Sequence, residues 1–367
     1  MDRTGNEISS EEEEGGLEFA RCRPGHLWGI GKTALLKEFK KIAQTKKIPA
    51  TYVSIREFQE EDRFLNATEH LITHIPRSLP LRFEALTNFK NFLSGVGITL
   101  PFIGGGIEIK EKQLSGDPQV LLLDALVRLW KDLRQETDVA LVLLDDVQNY
   151  RPISGFLTIL KNVLSDDEIQ KNTGYLFILT STGTGWEEFL KRHHPIGRFF
   201  TPIVTLHNLS QEETISLVEK SLESTGFTIS KSILKKIYEY PEGHLYELQI
   251  RCSYLYENQI GKKITTRSWD TSLTLTLESI GQILLDTLIQ GASEREQQLL
   301  KILATSESSL EWKAITSLVK EAYKTFPTQS VGKFLSRLLE KGLIQQPKRG
   351  IYKLPDRLFR EYILRLE

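Results

Sequence analysis

Hydrophobic positions in the first part of the chain form continuous runs separated by stretches of helical periodicity. The runs at 140–144 and 175–179 are five residues long, the length of a strand buried on both faces of a sheet. Apolar stripes at helical spacing occupy residues 34–43 and 120–133, between the runs. The alternation of buried strands and helices predicts an α/β fold with a parallel sheet. The runs lie at residues 48–55, 140–144, 175–179 and 203–206.

Two stretches of this first part depart from the simple alternation. Residues 17–22 predict only a shortened first strand, because Arg21, Arg23 and Pro24 stand where a buried strand should end. Residues 93–112 are rich in glycine and alternate weakly between apolar and polar positions, which predicts an inserted β-hairpin.

Helical periodicity dominates from residue 208 onward. Ser210 with Glu213, and Ser293 with Glu296, are capping boxes that mark two helix starts. Helices are predicted at residues 211–224, 230–239, 245–257, 275–289, 294–304, 312–320 and 328–340. A hairpin follows, with strands at 343–344 and 351–354 around a turn at 348–350. Three helices followed by a hairpin indicate a winged helix.

These patterns divide the chain into four parts. The polar and acidic residues 1–16 are predicted to be disordered. An α/β core then spans residues 17–207, a helical domain residues 208–290, and a winged helix residues 291–367.

The main chemical signal is a glycine-rich turn that opens the first helix, Trp28-Gly29-Ile30-Gly31-Lys32-Thr33. Backbone N–H groups in such a turn, with the positive end of the following helix, form a cradle for phosphate. Lys32 is placed to reach the β- and γ-phosphates of a nucleotide, and the Thr33 hydroxyl to bind Mg²⁺. The full pattern has another glycine where this chain has His26, with Gly25 one residue early. The alternative is a surface turn without a ligand.

A second signal is an acidic pair, Asp145-Asp146, directly after the apolar run at 140–144. Ligands bind at the carboxyl ends of strands in open α/β sheets. Asp145 is expected in the Mg²⁺ shell, and Asp146 is expected to orient or deprotonate the attacking water. The alternative is a helix N-cap pair. Thr180-Ser181-Thr182 follow the next strand. A hydroxyl there is expected to contact the γ-phosphate or the attacking water. The alternative is that these residues only form a loop, because Ser and Thr are common after strands.

Composition narrows the class of protein without identifying it. The chain has 367 residues, enough for two or three domains, and a formal net charge of −1, so there is no global attraction to nucleic acid or membrane. Cys22 and Cys252 lie far apart, which predicts neither a disulfide framework nor a cysteine metal site and favours an intracellular protein. No apolar stretch reaches the ~18 residues of a transmembrane helix.

The order of these features resembles the P-loop ATPases of the AAA+ and STAND type, and most closely the archaeal ATPase family related to the origin-recognition initiators. The loop at 27–33 resembles the Walker A loop, and residues 141–146 resemble the Walker B strand. Ser181 falls near the sensor position. Gly197-Arg198 resembles the Gly-Arg before the fifth strand, whose arginine acts within one subunit or on a neighbour. Gly243-His244-Leu245-Tyr246 resembles the Gly-His-Pro-Tyr element of the helical lid.

The resemblance implies a P-loop NTPase core with a five-stranded parallel sheet in the order 5-1-4-3-2, a helical lid and a winged helix. It implies ATP or ADP and Mg²⁺ as ligands. The cysteine usage, together with an N-terminus that lacks an apolar signal core, predicts a cytoplasmic location. Nucleotide contacts then fall to Trp28, Gly29, Ile30, Gly31, Lys32, Thr33 and His244, magnesium contacts to Thr33 and Asp145, and catalytic roles to Asp146, Ser181 and Arg198.

Three positions depart from the family pattern. His26 replaces the first loop glycine, and Leu245 stands where relatives have proline. Asp146 replaces the glutamate of most AAA+ proteins, and its side chain is one methylene shorter. STAND proteins often carry aspartate there, which suits a slow switch rather than a fast motor.

The C-terminal segment carries a local positive charge. Residues 327–367 contain nine Lys and Arg against four Asp and Glu, a net charge of +5. A basic third helix and wing tip suit contacts to DNA phosphates. Winged helices also bind proteins, so double-stranded DNA and a protein partner are both retained. The expected DNA contacts are Thr328, Ser330, Lys333, Arg337, Lys348 and Arg349.

Three functions fit the sequence. The first is a slow Mg²⁺-dependent ATPase that acts as a conformational switch and docks DNA or a partner through its winged helix. The second is a nucleotide-binding protein without turnover. The third is a DNA-binding regulator with a degenerate P-loop. Turnover and magnesium-dependent affinity for ATP distinguish them.

Overall fold

A five-stranded sheet lies at the centre of the first part of the chain. The computed structural model describes residues 18–22, 29–97, 116–193, 196–223, 225–258, 261, 263–281 and 289–366. Two compact units form the chain: one contains Met1–Arg21 and Lys32–Thr205, and the other Cys22–Gly31 and Leu206–Glu367. The N-terminal tail at 1–16, His26 and Trp28 lie outside the described residues.

The sheet confirms the predicted α/β class with parallel strands. β1 pairs in parallel with β4, β4 with β3, and β3 with β2. The order across the sheet is β2-β3-β4-β1-β5, which is 5-1-4-3-2 when read from the opposite edge. Every residue of β3 is buried, as expected for a continuous apolar run in a central strand. The strands are β1 Glu18–Cys22, β2 Ala50–Ser54, β3 Ala140–Asp145, β4 Tyr175–Ser181 and β5 Ile203–Leu206.

Helices cover both faces of this sheet. On one face, Leu36 and Ala43 of the first helix are buried with Leu143 and Ile178 of the strands. The larger core forms on the other face, where Leu126 and Leu160 pack in one cluster with residues of β3 and β4. The helices are α1 Lys32–Thr45, α2 Phe64–His74, α3 Phe83–Gly95, α4 Pro118–Leu133, α5 Phe156–Leu164, α6 Asp167–Asn172, α7 Gly183–Arg192 and α8 Ile196–Phe199.

The two irregular stretches have different outcomes. A first strand is confirmed as β1, but it is not shortened, since it has five residues, as many as β2, and includes Arg21. The predicted hairpin at 93–112 is wrong at its start, because α3 continues through Gly95 with Leu93 fully buried. The rest of that insert lies largely outside the described residues, which resume at Gly116.

A helical subdomain (residues 206–281) begins the second unit. Its helices are α9 Gln211–Leu222, α10 Lys231–Glu239, α11 Leu245–Glu257 and α12 Thr266–Ile280, with short parallel strands β6 Thr228–Ile229 and β7 Lys263–Ile264. The capping box of Ser210 and Glu213 is confirmed. The helix predicted at 275–289 begins earlier, at Thr266. Thr265 caps it and Trp269 is buried, so tertiary packing overrides the low helix propensity of its threonines.

A C-terminal subdomain (residues 289–366) completes the second unit. Helices α13 Glu294–Ala304, α14 Trp312–Ala322 and α15 Val331–Glu340 confirm the three predicted helices. Strands β9 Gln345–Lys348 and β10 Ile351–Lys353 pair antiparallel, and β10 also pairs with β8 Leu310–Glu311. The sequence pattern does not predict β8 or the last helix, α16 Arg357–Arg365. None of the described helices is both long and apolar enough to cross a membrane.

Candidate functional site

The glycine-rich loop enters α1 in a conformation that requires glycine. Gly29 and Gly31 have φ angles of +88° and +98°, in the left-handed region that side chains avoid. Helix α1 begins at Lys32, which is buried, and Thr33 is partly buried. Because α1 is packed on the sheet by its apolar stripe, these two side chains are held at the start of the helix.

Asp145 at the end of β3 joins this loop to the sheet. The Thr33 hydroxyl donates to Asp145 Oδ2 at 2.6 Å, and the Tyr52 hydroxyl donates to the same oxygen at 2.8 Å. The Thr180 hydroxyl donates to Asp145 Oδ1. Asp145 is 1% exposed, so three neutral hydroxyl donors stabilise a buried carboxylate. The structure therefore brings Thr33 and Asp145 into direct contact.

Two of these donors were not assigned a site role from the sequence. Burial, together with the Asp145 carboxylate, raises the pKa of Tyr52, so its hydroxyl remains a donor. Thr180 was grouped only with other hydroxyls after a strand. The useful signal is that both residues lie near the carboxyl ends of strands beside β3, as Asp145 does at its own end.

Asp146 belongs to a second hydrogen-bond network. Its backbone is left-handed, with φ 59°, and its N–H donates to Thr180 Oγ1 at 3.1 Å. Gln148 Nε2 donates to Asp146 Oδ1 at 2.9 Å, while Gln148 Oε1 accepts from the Thr182 N–H at 3.1 Å. Asp146 precedes a short 3₁₀ turn, Val147–Ile153, but its side chain makes no capping hydrogen bond. The N-cap alternative therefore does not explain the Asp146 carboxylate.

Among the described residues, no side-chain hydrogen bond joins Ser181 or Arg198 to the acidic pair. Ser181 Oγ is buried and finds no hydrogen-bond partner among the described residues. Arg198 is exposed on the short helix α8, and no ion pair of the described residues involves it. Thr180, one residue before Ser181, instead bonds the Asp145 carboxylate and the Asp146 N–H.

Within the second unit, the start of α11 packs against the loop segment at Gly29. The Tyr246 N–H donates to Gly29 O at 3.1 Å. A Cβ on Gly29 would lie 2.5 Å from Tyr246 Cβ and 3.2 Å from His244 Cε1, so only glycine fits. His244 is buried, and its Nδ1 lies 3.7 Å from Glu247 Oε1. His244 therefore lies beside the loop segment at Gly29, and its predicted contact with nucleotide stays a prediction.

The donor set suits a magnesium ion that is shared with phosphate. The described residues contain no group of three or more His, Cys, Asp or Glu that could hold a metal alone. Mg²⁺ in nucleotide sites usually takes one or two protein ligands and completes its shell with phosphate and water. Because Thr33 donates its hydroxyl hydrogen to Asp145, the lone pairs of its oxygen remain for a cation.

The basic residues of the C-terminal subdomain fall into two sets. Lys341 pairs with Glu296 at 2.7 Å, Lys353 with Glu242 at 3.3 Å, and Arg360 with Glu307 at 3.8 Å. A second set is exposed and takes part in no salt bridge among the described residues. It includes the four predicted DNA contacts Lys333 and Arg337 on α15, and Lys348 and Arg349 at the β9–β10 turn, as well as Lys301, Lys313, Lys320, Lys324 and Arg365 elsewhere in the subdomain. Thr328 and Ser330 are partly buried in a 3₁₀ turn before α15.

Solved structures of other proteins share this fold. The chain is similar to a Walker-type ATPase of Pyrococcus abyssi, with 16% identity, 96% of this chain and 91% of that chain covered, and a TM-score of 0.60. It is also similar to the ORC2 protein of Aeropyrum pernix in its ADP form, with 14% identity, 95% and 88% coverage, and a TM-score of 0.51. No protein-family model and no curated protein matches the chain. The resemblance to AAA+ P-loop ATPases is confirmed as a relationship of fold.

Proposed function

We propose that this protein binds ATP and ADP with Mg²⁺ and hydrolyses ATP slowly, as a conformational switch. The observation that carries the proposal is the Thr33–Asp145 hydrogen bond, which joins the glycine-rich loop to the acidic end of β3. These residue types, on a loop before a helix and at a strand end, suit Mg²⁺ and phosphate. The Aeropyrum protein of the same fold was solved in its ADP form, which supports a nucleotide as the ligand.

In this proposal different residues bind phosphate, hold the metal and orient the attacking water. Backbone N–H groups of the loop and the Lys32 ammonium bind phosphate oxygens. Thr33 and Asp145 hold the metal, which supplies charge neutralisation at the phosphates when bound. Asp146 orients the attacking water. Gln148 donates to one oxygen of the Asp146 carboxylate and leaves the other for the water. The Asp146 side chain is one methylene shorter than the glutamate of most AAA+ proteins, which suits slow turnover.

The proposed switch uses the domains that the sequence indicates. Residues 17–207 form the ATPase core, residues 208–290 the lid, and residues 291–367 a winged helix. His244 supports the loop at Gly29. The alternative that the protein binds nucleotide without turnover differs only in the fate of the γ-phosphate.

Steady-state ATP hydrolysis and nucleotide affinity test the proposal together. Lys32→Ala removes the phosphate-binding cation, so ATP affinity should fall at least about tenfold. Lys37→Ala changes an exposed lysine of the same helix and should leave affinity unchanged. Asp146→Asn should retain binding and slow turnover about tenfold or more. Binding with no turnover in the wild type would favour the non-hydrolysing alternative, and absence of binding would refute both.

The exposed basic set of the C-terminal subdomain favours DNA as a second ligand. Lys333, Arg337, Lys348 and Arg349 lie on the third helix and the hairpin turn of that subdomain. We propose double-stranded DNA as their ligand, with a protein partner as the alternative. Lys348→Ala combined with Arg349→Ala should reduce the salt dependence of DNA affinity by a slope of about 2. DNA affinity that is insensitive to salt would contradict this assignment.

A further inference from the structure

The helical subdomain contains an apolar pocket that the proposed nucleotide chemistry does not use. Its volume is about 420 Å³, within the range of roughly 300–1,000 Å³ that small-molecule sites occupy. Helices α9, α10 and α11 and the two short strands form its wall. The lining residues are Leu217, Val218, Leu245, Leu248, Cys252 and Tyr256, with others from the same elements.

The described residues that line this subdomain pocket provide no charged side chain to pair with a charged ligand. The Ser221 hydroxyl donates to Leu217 O within α9, and the Thr225 hydroxyl donates to Leu222 O at the end of that helix. Burial raises the pKa of the Cys252 thiol to about 12, so it stays neutral. The surroundings therefore suit an uncharged and mainly apolar ligand.

A small molecule fits this wall better than a polypeptide segment. A buried peptide brings backbone N–H and C=O groups, and each costs free energy if it lacks a partner. Ser221 and Thr225 have already committed their hydroxyl hydrogens, so among the described lining residues the Gln249 side-chain amide is the main donor left for a carbonyl of a guest, too little for a peptide backbone. An apolar molecule with few polar atoms avoids that cost. Leu217 and Tyr256 are 40% and 47% exposed, so the pocket is open to solvent at these side chains.

One lining residue also contacts the glycine-rich loop. A Cβ on Gly31 would lie 2.9 Å from Leu245 Cδ2, so the Leu245 side chain packs directly on Gly31. Leu245 is the first residue of α11. The N–H of the next residue, Tyr246, donates a hydrogen bond to Gly29 O. A guest that displaces Leu245 would change the packing on Gly31, the residue before Lys32.

We propose that the subdomain pocket binds an uncharged apolar small molecule and that this binding is coupled to nucleotide affinity through Leu245. The coupling rests on the proposed nucleotide function, whereas the pocket does not. Coupling between two ligands is reciprocal, so each changes the affinity of the other by the same factor.

The pocket is tested first, on the full chain without nucleotide, with the neutral fluorescent probe N-phenyl-1-naphthylamine. Saturable binding is expected, with competition by 1-octanol and none by octanoate at the same concentration. Ser221→Trp should fill the pocket and weaken probe affinity at least about tenfold. Ser216→Trp, at an exposed position of the same helix that does not line the pocket, should leave probe affinity unchanged. Equal probe affinity in both variants, or equal competition by octanoate, would overturn the pocket assignment.

The coupling is tested by titrating ADP with and without saturating probe. A change in ADP affinity of about threefold or more is expected, with an equal change in probe affinity when ADP is present. Leu245→Ala should reduce that factor towards one. Both ligands binding with independent affinities would overturn the coupling. Probe binding at the pocket without any ADP binding would refute the nucleotide function and leave the pocket in place.

Discussion

At the scale of single residues, the site is organised by hydroxyl groups around Asp145. The sequence placed Thr33 and Asp145 in one site, because a strand end and a glycine-rich loop follow recognisable patterns. It did not single out Tyr52 or Thr180, since a tyrosine or threonine in a strand has no special spacing. Their contribution depends on the register between neighbouring strands, which sets Val53 beside Leu144 and Leu144 beside Leu179. Hydroxyl donors of this kind become visible only when strand register is known.

The first prediction separates Thr180 from Ser181. Thr180→Val keeps the shape but removes a donor to Asp145 and an acceptor for the Asp146 N–H. Leaving these groups unpaired should lower the free energy of unfolding by about 1–3 kcal/mol. Ser181→Ala removes a buried hydroxyl that has no partner among the described residues, and should cost less than about 1 kcal/mol. Urea unfolding measures both, and a larger loss for Ser181→Ala would contradict the network.

A glycine of the helical subdomain gives the second prediction. Gly243 has φ +77°, and a Cβ there would lie 1.9 Å from Leu209 O. Gly243→Ala should therefore destabilise the protein by at least about 3 kcal/mol, through backbone strain and collision. Gly261 has a similar φ of +70° but open space around it, so Gly261→Ala should show the strain alone, about 1 kcal/mol. Equal losses in urea unfolding would show that the collision at Leu209 is relieved without cost.

At the scale of elements, prediction succeeds where local signals agree with packing. The capping box at Ser293 and Glu296 placed α13 at its observed start. The start of α12 was wrong because its first turns are rich in threonine, and burial of Trp269 decides their conformation. Helix α16 was missed although Leu358, Phe359, Tyr362 and Ile363 are buried at helical spacing, and Asp356 caps it by accepting from the Phe359 N–H at 2.7 Å. Weak periodicity in short elements is resolved by tertiary contacts rather than by sequence.

The cap of α16 carries the third prediction, which concerns pH. Burial, with the nearby Glu242 carboxylate, raises the pKa of Asp356 from 3.8 to about 7, although its cap hydrogen bond and Lys353 oppose the shift. Burial, Asp356 and Glu242 likewise raise the pKa of Glu247. The folded state therefore holds protons that the unfolded state releases. The stability they confer is present below about pH 4 and is lost as pH rises through 7.

The substitution Asp356→Asn tests whether stability falls as the pH rises. Asparagine still accepts from the Phe359 N–H but does not ionise. The variant should match the wild type at pH 4 and be more stable at pH 8, by on the order of 1 kcal/mol. Glu321→Gln, at an exposed position of α14, should show no such difference. Urea unfolding at both pH values is the measurement, and a variant less stable than wild type at pH 8 would contradict the assigned burial of charge.

At the scale of the whole molecule, the sequence predicts the fold class because continuous apolar runs, a glycine-rich loop and an acidic strand end occur in one order. The fold relationship to the Pyrococcus ATPase agrees with that order. The sequence could not predict the subdomain pocket, since its wall combines residues from α9, α11 and β7 that are far apart in the chain. Nor could it show that Leu245 both lines this pocket and packs on Gly31. Such relationships depend on how elements pack, which periodicity does not encode.

The central claim is that Thr33 and Asp145 form a magnesium-dependent nucleotide site. Its most direct test is calorimetric titration of ATP into the protein with Mg²⁺ and with EDTA. Mg²⁺ should strengthen ATP binding at least about tenfold, and Thr33→Val should abolish that gain. Thr45→Val, which removes an exposed hydroxyl at the end of the same helix, should preserve it. ATP affinity that is absent, or equal with Mg²⁺ and with EDTA in the wild type, would contradict the claim.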